Sequence, residues 1–247
     1  MSEKKVVIDA KGLHYRELNR KIKDAVARGV EEILLKNVNG QRYIGTGLKS
    51  NVKIVIEGVP GNDLAAFMDG PTIIVNSNAQ DSVCNTMNEG TVVIHGDAGD
   101  VLGYGMRGGR LYVRGDVGYR VGIHMKAYMD KRPVLVVGGV ARDFLGEYMA
   151  GGILIVLGLN NKNPIIGNFA GTGIHGGVIY IRGKVEKHQI AKEAAFSDFT
   201  SEDEKTLEAC LKDYCRYFQL NLDEILGAKF TKLVPTTHRP YGRLYAY

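Results

Sequence analysis

Tryptophan is absent from this sequence of 247 residues, and cysteine occurs only as Cys84, Cys210 and Cys215. The three cysteines match no zinc-ligand spacing, and a small odd number is typical of reduced thiols rather than a disulfide framework. No apolar run is long enough to span a bilayer, and the N-terminus MSEKK carries no signal-peptide pattern. These absences predict a cytoplasmic protein with no membrane partner and no metal-ligating residues.

Charge of one sign is not concentrated in a stripe. The net charge is +5, but residues 43–182 are nearly balanced, residues 183–226 are acidic, and the last 21 residues are basic. A nucleic-acid-binding protein more often concentrates its basic residues on one face with aromatic residues among them. The pattern therefore predicts solvated faces and a basic C-terminal tail, and no nucleic-acid partner.

Proline is scarce, with 6 residues, whereas glycine is abundant, with 32. This combination is typical of many tight turns rather than of disorder. Seven short apolar runs lie between these glycines, and they end at residues 58, 77, 96, 115, 138, 158 and 183. The steps between them are 19, 19, 19, 23, 20 and 25 residues, which is the range of a solenoid repeat.

Each run is short and rich in valine and isoleucine, which favours a strand over a helix. One strong run per repeat fits a parallel stack better than hairpins. The repeat predicts a mostly β protein, a right-handed single-stranded parallel β-helix of about seven coils. We expect residues 1–42 to form an N-terminal strand–helix–strand cap, 43–183 the β-helix, and 184–247 a helical C-terminal extension ending in the basic tail.

A methionine recurs nine residues before the end of most runs. The series is Met68, Met87, Met106, Met129 and Met149, followed by Ile174, with Leu48 one residue out of phase in the first unit. Equivalent positions of successive coils stack, so these side chains predict an inward packing ladder rather than a metal or sulfur site. The longer steps predict loop insertions at 116–132 and 159–172, and insertions on solenoids often mark a contact face.

Both flanks of the repeat have the pattern of caps. At the N-terminus we expect a strand at 5–9, a helix at 14–28 that Gly29 ends, and a strand at 31–36. After the repeat, Ser201 and Glu204 have the spacing of a capping box. An apolar helical stripe follows, formed by Leu207, Cys210, Leu211, Tyr214, Cys215 and Phe218. Both cysteines are therefore interpreted as packing residues.

A second, shorter helix is expected from Asn221 to near Gly227. The closing segment, FTKLVPTTHRPYGRLYAY, is too rich in proline, basic and aromatic residues to form its own core. We expect it to lie extended along this subunit or a partner.

Two stretches, GYGMRGG at 103–109 and GTGIHGG at 171–177, satisfy G-x-G-x-x-G, the fingerprint of a dinucleotide-binding loop. That loop must lie between a strand and a helix so that the pyrophosphate meets a helix N-terminus. Both stretches here precede a predicted strand. The context therefore favours β-helix corners and argues against a cofactor-binding site.

Other residues with catalytic chemistry are scattered. The histidines are His14, His95, His124, His175, His188 and His238, and no two share a metal-binding spacing; the roles of His95, His124 and His175 stay open. Asp81, Asp100 and Asp143 suit either a carboxylate site, as in sugar-cleaving β-helices, or a structural ladder, and their equal repeat phase favours the ladder. No catalytic residue is assigned.

The stretch HGDAGDVLGYGMRGGRLYVRG, at 95–115, resembles the signature of the GXGXG domain found at the C-terminus of the large subunit of glutamate synthase. The family pattern is similar to G-D-A-N-D-x-x-G-K-G-L-x-G-G, in which Gly99 replaces the Asn and Tyr104 replaces the Lys. NAQDSVCNTMNEG resembles the preceding coil, and FTKLVP at 230–235 is similar to the family's closing segment. The resemblance covers roughly residues 40–235.

This resemblance implies a free-standing scaffold subunit with no catalytic residue of its own. Its implied partners are a glutaminase (amidotransferase) subunit and a synthase subunit that carries FMN and iron–sulfur clusters and forms glutamate from ammonia and 2-oxoglutarate. The electron donor, the stoichiometry and a homo-oligomeric state stay open. A similar β-helix is the C subunit of formylmethanofuran dehydrogenase, which is the first alternative; a solitary carbohydrate-active β-helix enzyme is the second.

Overall fold

A computed structural model describes residues 4–160 and 162–237. Its helices are α1 (Tyr15–Ala27), α2 (Ser201–Phe218) and α3 (Leu222–Leu226), with a 3₁₀ turn at Lys187–Gln189. The strands are β1 (Lys5–Asp9), β2 (Glu32–Asn39), β3 (Lys53–Val59), β4 (Asp69–Val75), β5 (Glu89–Ile94), β6 (Arg110–Val113), β7 (Val134–Val137), β8 (Ala150–Val156), β9 (Gly176–Arg182), β10 (Ala194–Ser197) and β11 (Phe230–Pro235).

One sheet of 11 strands runs through the described residues, in the order β1 to β9 followed by β11 and β10. Neighbours from β1 to β9 are parallel, whereas β11 pairs antiparallel with both β9 and β10. The predicted β-helix is thereby confirmed. It has about six turns rather than about seven, because the seven repeat strands β3–β9 enclose six complete turns.

The stacked strands are in register, so equivalent apolar residues form columns. Ile54 lies beside Ile73, which lies beside Val92, and Leu111 and Leu135 continue the same inward column. All five are fully buried. Side chains alternate between the two faces of a strand, and these columns fill the interior of the solenoid.

The methionine ladder inside the solenoid contains Met125. The prediction that Met129 belongs to this ladder was wrong. Met125 is fully buried, like Met106 and Met149, whereas Met129 is 84% exposed. The backbone N–H of each ladder residue closes a short hydrogen-bonded turn at the corner of its coil. The Met125 N–H donates to the Gly122 carbonyl at 3.1 Å, and the Met106 N–H donates to the Gly103 carbonyl in the same way. The inserted residues lie between Met125 and β7, so counting back from the end of the strand selects the wrong methionine.

The N-terminal residues form the expected strand–helix–strand unit. Helix α1 buries Leu18, Ile22 and Ala25 in the same core as the columns. His14 is its N-cap and accepts a hydrogen bond from the Arg16 N–H at 3.4 Å. Strand β1 pairs parallel with β2, and β2 pairs parallel with β3. The sheet therefore continues without a break from the cap into the repeat.

Helix α2 covers the outer face of the C-terminal half of the sheet. Its buried stripe packs against outward side chains of β5–β9, and the Tyr112 and Tyr214 rings meet edge to face with centroids 5.9 Å apart. Cys210 and Cys215 are buried in this layer, which confirms their packing role. Because β6–β9 are covered on both faces, their sequences are continuous apolar runs rather than alternating ones.

The cap of α2 differs from the prediction by one residue. Thr200 is the N-cap and forms the capping box with Asp203, rather than Ser201 with Glu204. Asp203 is selected because it is also buried and accepts hydrogen bonds from the Tyr180 hydroxyl at 2.6 Å and the Lys232 ammonium at 2.9 Å. This carboxylate ties α2 to β9 and β11.

The closing segment is more ordered than expected in its first part. FTKLVP forms β11, and β10, which was not predicted, pairs with it. His238 and the rest of the basic tail lie outside the described residues. The sheet continues past both predicted boundaries, at residues 42 and 183. The division of the chain into an N-terminal cap, a β-helix and a C-terminal extension therefore stays a prediction. No helix among the described residues is long and apolar enough to cross a membrane.

Candidate functional site

The glycine motif forms one corner of each coil, where alternate residues adopt left-handed backbone conformations. In the central coil Val101, Gly103 and Gly105 have φ of 61°, 66° and 56°. The same alternation occurs in the other coils, over residues 43–47, 63–67, 82–86, 120–124, 144–148 and 169–173. A G-x-G pair thus supplies the residues that adopt this conformation most easily.

The corner backbone bonds to both neighbouring coils. The N–H groups of Val101 and Gly105 donate to the following coil at 2.8 and 2.9 Å, whereas the Gly103 N–H donates to the Val83 carbonyl of the preceding coil at 2.8 Å. An added β-carbon at Gly103 would lie 2.8 Å from a Leu135 methyl group. The glycines therefore serve coil stacking. Both G-x-G-x-x-G stretches lead into strands, β6 and β9, so neither has the strand-to-helix context of a dinucleotide loop.

The repeated aspartates form a side-chain ladder, as their repeat phase predicted. The carboxylate of Asp81 accepts from the Asp100 N–H at 2.9 Å, and Asp100 accepts from the Tyr119 N–H at 2.8 Å. Asp143 accepts from the Asn168 N–H at 2.8 Å in the same way. Each carboxylate is therefore used to bond the backbone of the next coil.

A second ladder runs beside the first. Asn78 accepts from the Asp97 N–H at 2.9 Å, Asp97 from the Asp116 N–H at 2.8 Å, and Asp116 from the Val140 N–H at 2.9 Å. Burial alone would raise the pKa of Asp116, but the Lys162 ammonium and the Val140 N–H hold it below the usual value. The Asp116 carboxylate is therefore ionised near neutral pH, and its oxygens are already used as hydrogen-bond acceptors.

Exposed aromatic side chains line the outside of the glycine corner. We call Tyr43, Phe67, Tyr104, Tyr148 and Phe169 the aromatic corner; all five are exposed, Phe67 to 53%. They make up half of the ten exposed large apolar side chains among the described residues. Exposed apolar residues normally occur singly, so their recurrence on one corner makes this corner a candidate interaction surface.

The backbone gives a second reason to assign a role to these side chains. Phe67, His124 and Tyr148 occupy the third left-handed position of their coils, with φ of 56°, 53° and 51°. Glycine holds this position at 47, 105 and 173. A side chain there costs about 1–2 kcal/mol relative to glycine. Backbone strain of this kind clusters at functional sites, and Thr86 takes the same position with a small polar side chain.

The aromatic corner is densest on the last three coils. The Arg120 guanidinium lies over the Phe144 ring at 4.6 Å, and the Phe144 and Phe169 rings stack with centroids 5.2 Å apart. Arg120 also pairs with the buried carboxylate of Glu147. The buried Glu147 fixes the arginine, so that its planar cation and the rings form one preorganised patch.

His124 belongs to the same patch. Its ring stacks on Tyr148 with centroids 5.2 Å apart and meets Tyr104 edge to face at 5.7 Å. A β-carbon at Gly173 would collide with the Tyr148 ring, so the glycine of the following coil makes room for it. Tyr148 therefore lies against the neighbouring coil.

Sequence reasoning missed the aromatic corner, although a signal was present. An aromatic or imidazole residue directly precedes the ladder methionine in three coils, as Phe67-Met68, His124-Met125 and Tyr148-Met149. Only the left-handed backbone shows that the first residue of each pair points outward.

His95, His175 and His188 make contacts of other kinds. His95 packs edge to face on Phe218 at 5.2 Å, and burial together with the Arg114 charge lowers its pKa. The His175 ring contacts the Gly173 carbonyl at 3.1 Å, and His188 lies in the 3₁₀ turn. No group of three or more His, Cys, Asp or Glu side chains suited to a metal ion occurs among the described residues.

Two clefts accompany the insertions. The residues added after Met125 place Lys131 within 2.6 Å of Glu89 and 3.7 Å of Asp69, beside a cleft of about 700 Å³. The second insertion borders a cleft of about 860 Å³ with Lys162, Arg182 and Lys184 on its walls. The extra residues of the first insertion lie at 126–133 rather than throughout 116–132.

Comparison with known proteins shows which family has this architecture. The sequence profile of the GXGXG motif family matches residues 11–238. The chain belongs to the GXGXG motif family. The resemblance expected from residues 95–115 is thus confirmed, and in this GXGXG protein two of the motif glycines, Gly103 and Gly105, are left-handed residues of the coil corner.

A GXGXG chain of closely similar sequence occurs in Methanocaldococcus jannaschii. It is an uncharacterized protein, 54% identical over 250 residues, and the match covers 97% of this chain and 96% of that one. A similar fold occurs in the formyltransferase/hydrolase complex of Methylorubrum extorquens, solved with methylofuran, with a TM-score of 0.62 and 20% identity over 80% of this chain and 71% of that chain. At this identity the likeness establishes the fold.

Proposed function

We propose that this GXGXG protein is a non-catalytic scaffold subunit of a multi-subunit oxidoreductase complex and binds its partners through the aromatic corner. The observation that carries the proposal is the aromatic corner itself: five exposed rings, four of them at left-handed positions, beside the Arg120–Glu147 ion pair. Aromatic and arginine side chains are the residues most enriched in protein–protein hot spots. The repeated aspartates, by contrast, are occupied in coil stacking.

Glutamate synthase is the assignment that the sequence supports. The stretch 95–115 resembles the family signature of its large subunit, and FTKLVP, similar to the family's closing segment, forms β11. In this assignment the partners are a glutaminase subunit and an FMN/iron–sulfur synthase subunit, which hold all the cofactors. The scaffold fixes the distance between the site that releases ammonia and the site that consumes it.

A formylmethanofuran dehydrogenase-type complex is the second assignment, and the solved structure favours it more directly. That structure is a formyltransferase/hydrolase complex bound to methylofuran, and its β-helix fold is shared over most of this chain. The partners would then be the catalytic subunits of a one-carbon oxidoreductase. The scaffold role is common to both assignments.

Affinity purification of the tagged full-length chain from its native cells, followed by mass spectrometry, tests the proposal. Recovery of a glutaminase with an FMN/iron–sulfur protein supports the first assignment; recovery of formyltransferase or molybdopterin- or tungsten-dependent subunits supports the second. Glutamine hydrolysis, flavin binding or polysaccharide cleavage by the purified chain alone would overturn the scaffold role.

A further inference from the structure

Strand β1 forms one end of the sheet, and no other strand among the described residues pairs with its outer edge. The Lys4 carbonyl accepts from the Glu32 N–H at 3.0 Å, and the Ala10 N–H donates to the Lys36 carbonyl at 2.8 Å. The even-numbered residues of this segment therefore direct their backbone N–H and C=O groups toward β2. Backbone groups alternate along a strand. Lys5, Val7 and Asp9 therefore present both N–H and C=O to the open edge.

The sequence of this edge is complementary to itself when reversed. In an antiparallel pair centred on Val7, each Val7 lies opposite its counterpart, and each Lys5 lies opposite Asp9 of the other copy. All three positions then form hydrogen-bonded pairs, because such pairs recur at every second residue. The side chains of these three residues share the outer face of the sheet, where Val7 is 60% exposed.

The charged residues at the two ends of β1 are held in place by neighbours. The Lys5 ammonium lies 3.1 Å from a Glu32 carboxylate oxygen. Asp9 accepts from the Asn37 amide at 2.8 Å and from the Lys11 N–H at 2.9 Å. A charged edge usually prevents strand addition. Here the charges of Lys5 and Asp9 are opposite in sign and lie at equal distances from Val7. They therefore disfavour a shifted register and favour pairing with an antiparallel second copy of β1.

We propose that two copies of this chain associate through antiparallel β1 strands about a twofold axis at Val7, which joins their sheets into one. The interface is isologous, as in most homodimers. It lies on the end strand of the solenoid, away from α2, so a scaffold of this form carries two equivalent sets of docking surfaces. The inference does not depend on the identity of the partner subunits.

Charge exchange across the interface tests the proposal with the full-length chain. In Lys5→Asp both interacting positions are acidic, and in Asp9→Lys both are basic, so each variant alone opposes like charges. We expect the dimer dissociation constant of each variant to rise on the order of tenfold or more. An equimolar mixture restores both opposite-charge pairs and should return the dimer, measured by sedimentation equilibrium.

A proline substitution tests the backbone contribution. The Val7 N–H faces the open edge, so Val7→Pro leaves the pairing with β2 intact and should give a monomer with an almost unchanged melting temperature. Val6→Pro is the contrasting variant, because the Val6 N–H faces β2, and should lower the melting temperature. A monomeric wild-type chain at about 100 μM, a dimer that persists in Val7→Pro, or single variants that fail to form a mixed dimer would each overturn the proposal.

Discussion

The carboxylate of Asp100 occupies the space that a β-carbon would fill at Gly118, one coil further along the solenoid. From there it accepts the Tyr119 N–H at 2.8 Å. The pair explains why glycine and aspartate recur together in the repeat, since the side chain of one coil needs a residue without a side chain in the next.

Replacing this glycine should therefore cost stability. We expect Gly118→Ala to lower the free energy of unfolding by about 2–3 kcal/mol, because the methyl group displaces the carboxylate and breaks the hydrogen bond. Asp100→Asn keeps an acceptor oxygen and should cost less. Chemical denaturation of both variants, of Asp100→Ala, and of Gly118→Ala combined with Asp100→Ala provides the measurement; strictly additive losses in the double variant would contradict the proposed contact.

The methionine ladder supplies a matched pair of variants. Met125→Ala removes a fully buried side chain and should lower the unfolding free energy by about 2–5 kcal/mol. Met129→Ala changes an exposed side chain only four positions away and should stay within about 0.5 kcal/mol of wild type. Equal losses for the two variants would show that the ladder runs through the other methionine.

The buried carboxylate of Asp203 should make stability depend on pH. Burial would raise its pKa, but hydrogen bonds from Tyr180, Lys232 and Thr200 lower it well below the usual value. A lowered folded-state pKa contributes stability above the unfolded value, near 4, and this contribution is lost as the pH falls further. Urea unfolding from pH 7 to pH 3 should show a steeper acid loss for wild type than for Asp203→Asn.

The aromatic corner can be tested without destabilising the fold. Tyr148→Gly removes an exposed ring and relieves a left-handed residue, so the unfolding free energy should change by no more than about 1 kcal/mol. Capture of the partner subunits should fall on the order of tenfold. Phe196→Ala removes an aromatic ring of similar exposure on β10, outside the corner, and serves as the control. Undiminished capture by Tyr148→Gly would contradict the docking role.

Much of the fold could be predicted from sequence because the repeat is in register. The seven apolar runs correspond to β3–β9, since strands that stack in parallel must repeat the same pattern. Met129 was misplaced because an insertion separates corner from strand; counting from Gly122 would have selected Met125. The cap at Thr200 was missed because two capping patterns overlap, and only the tertiary contacts of Asp203 distinguish them.

The aromatic corner could not be predicted for a different reason. Helix and strand periods give the direction of a side chain, but a corner of alternating left-handed residues follows neither period. The directions of Phe67 and Tyr148 depend on φ values that the sequence does not specify, because non-glycine residues rarely adopt them. The unpredicted β10 likewise depends on a partner, β11, which is distant along the chain.

The alternating hydrogen bonds of the glycine corner also have a consequence for length. Because the corner backbone of each coil bonds only to the coils before and after it, a whole unit of 19 residues can be added or removed without changing the corner contacts of any other unit. Each such change would move the N-terminal cap relative to α2 by about 4.8 Å, the spacing of one strand. The number of coils therefore sets the distance between the two ends of the solenoid. Duplication of one repeat unit in the gene would lengthen that distance by one coil.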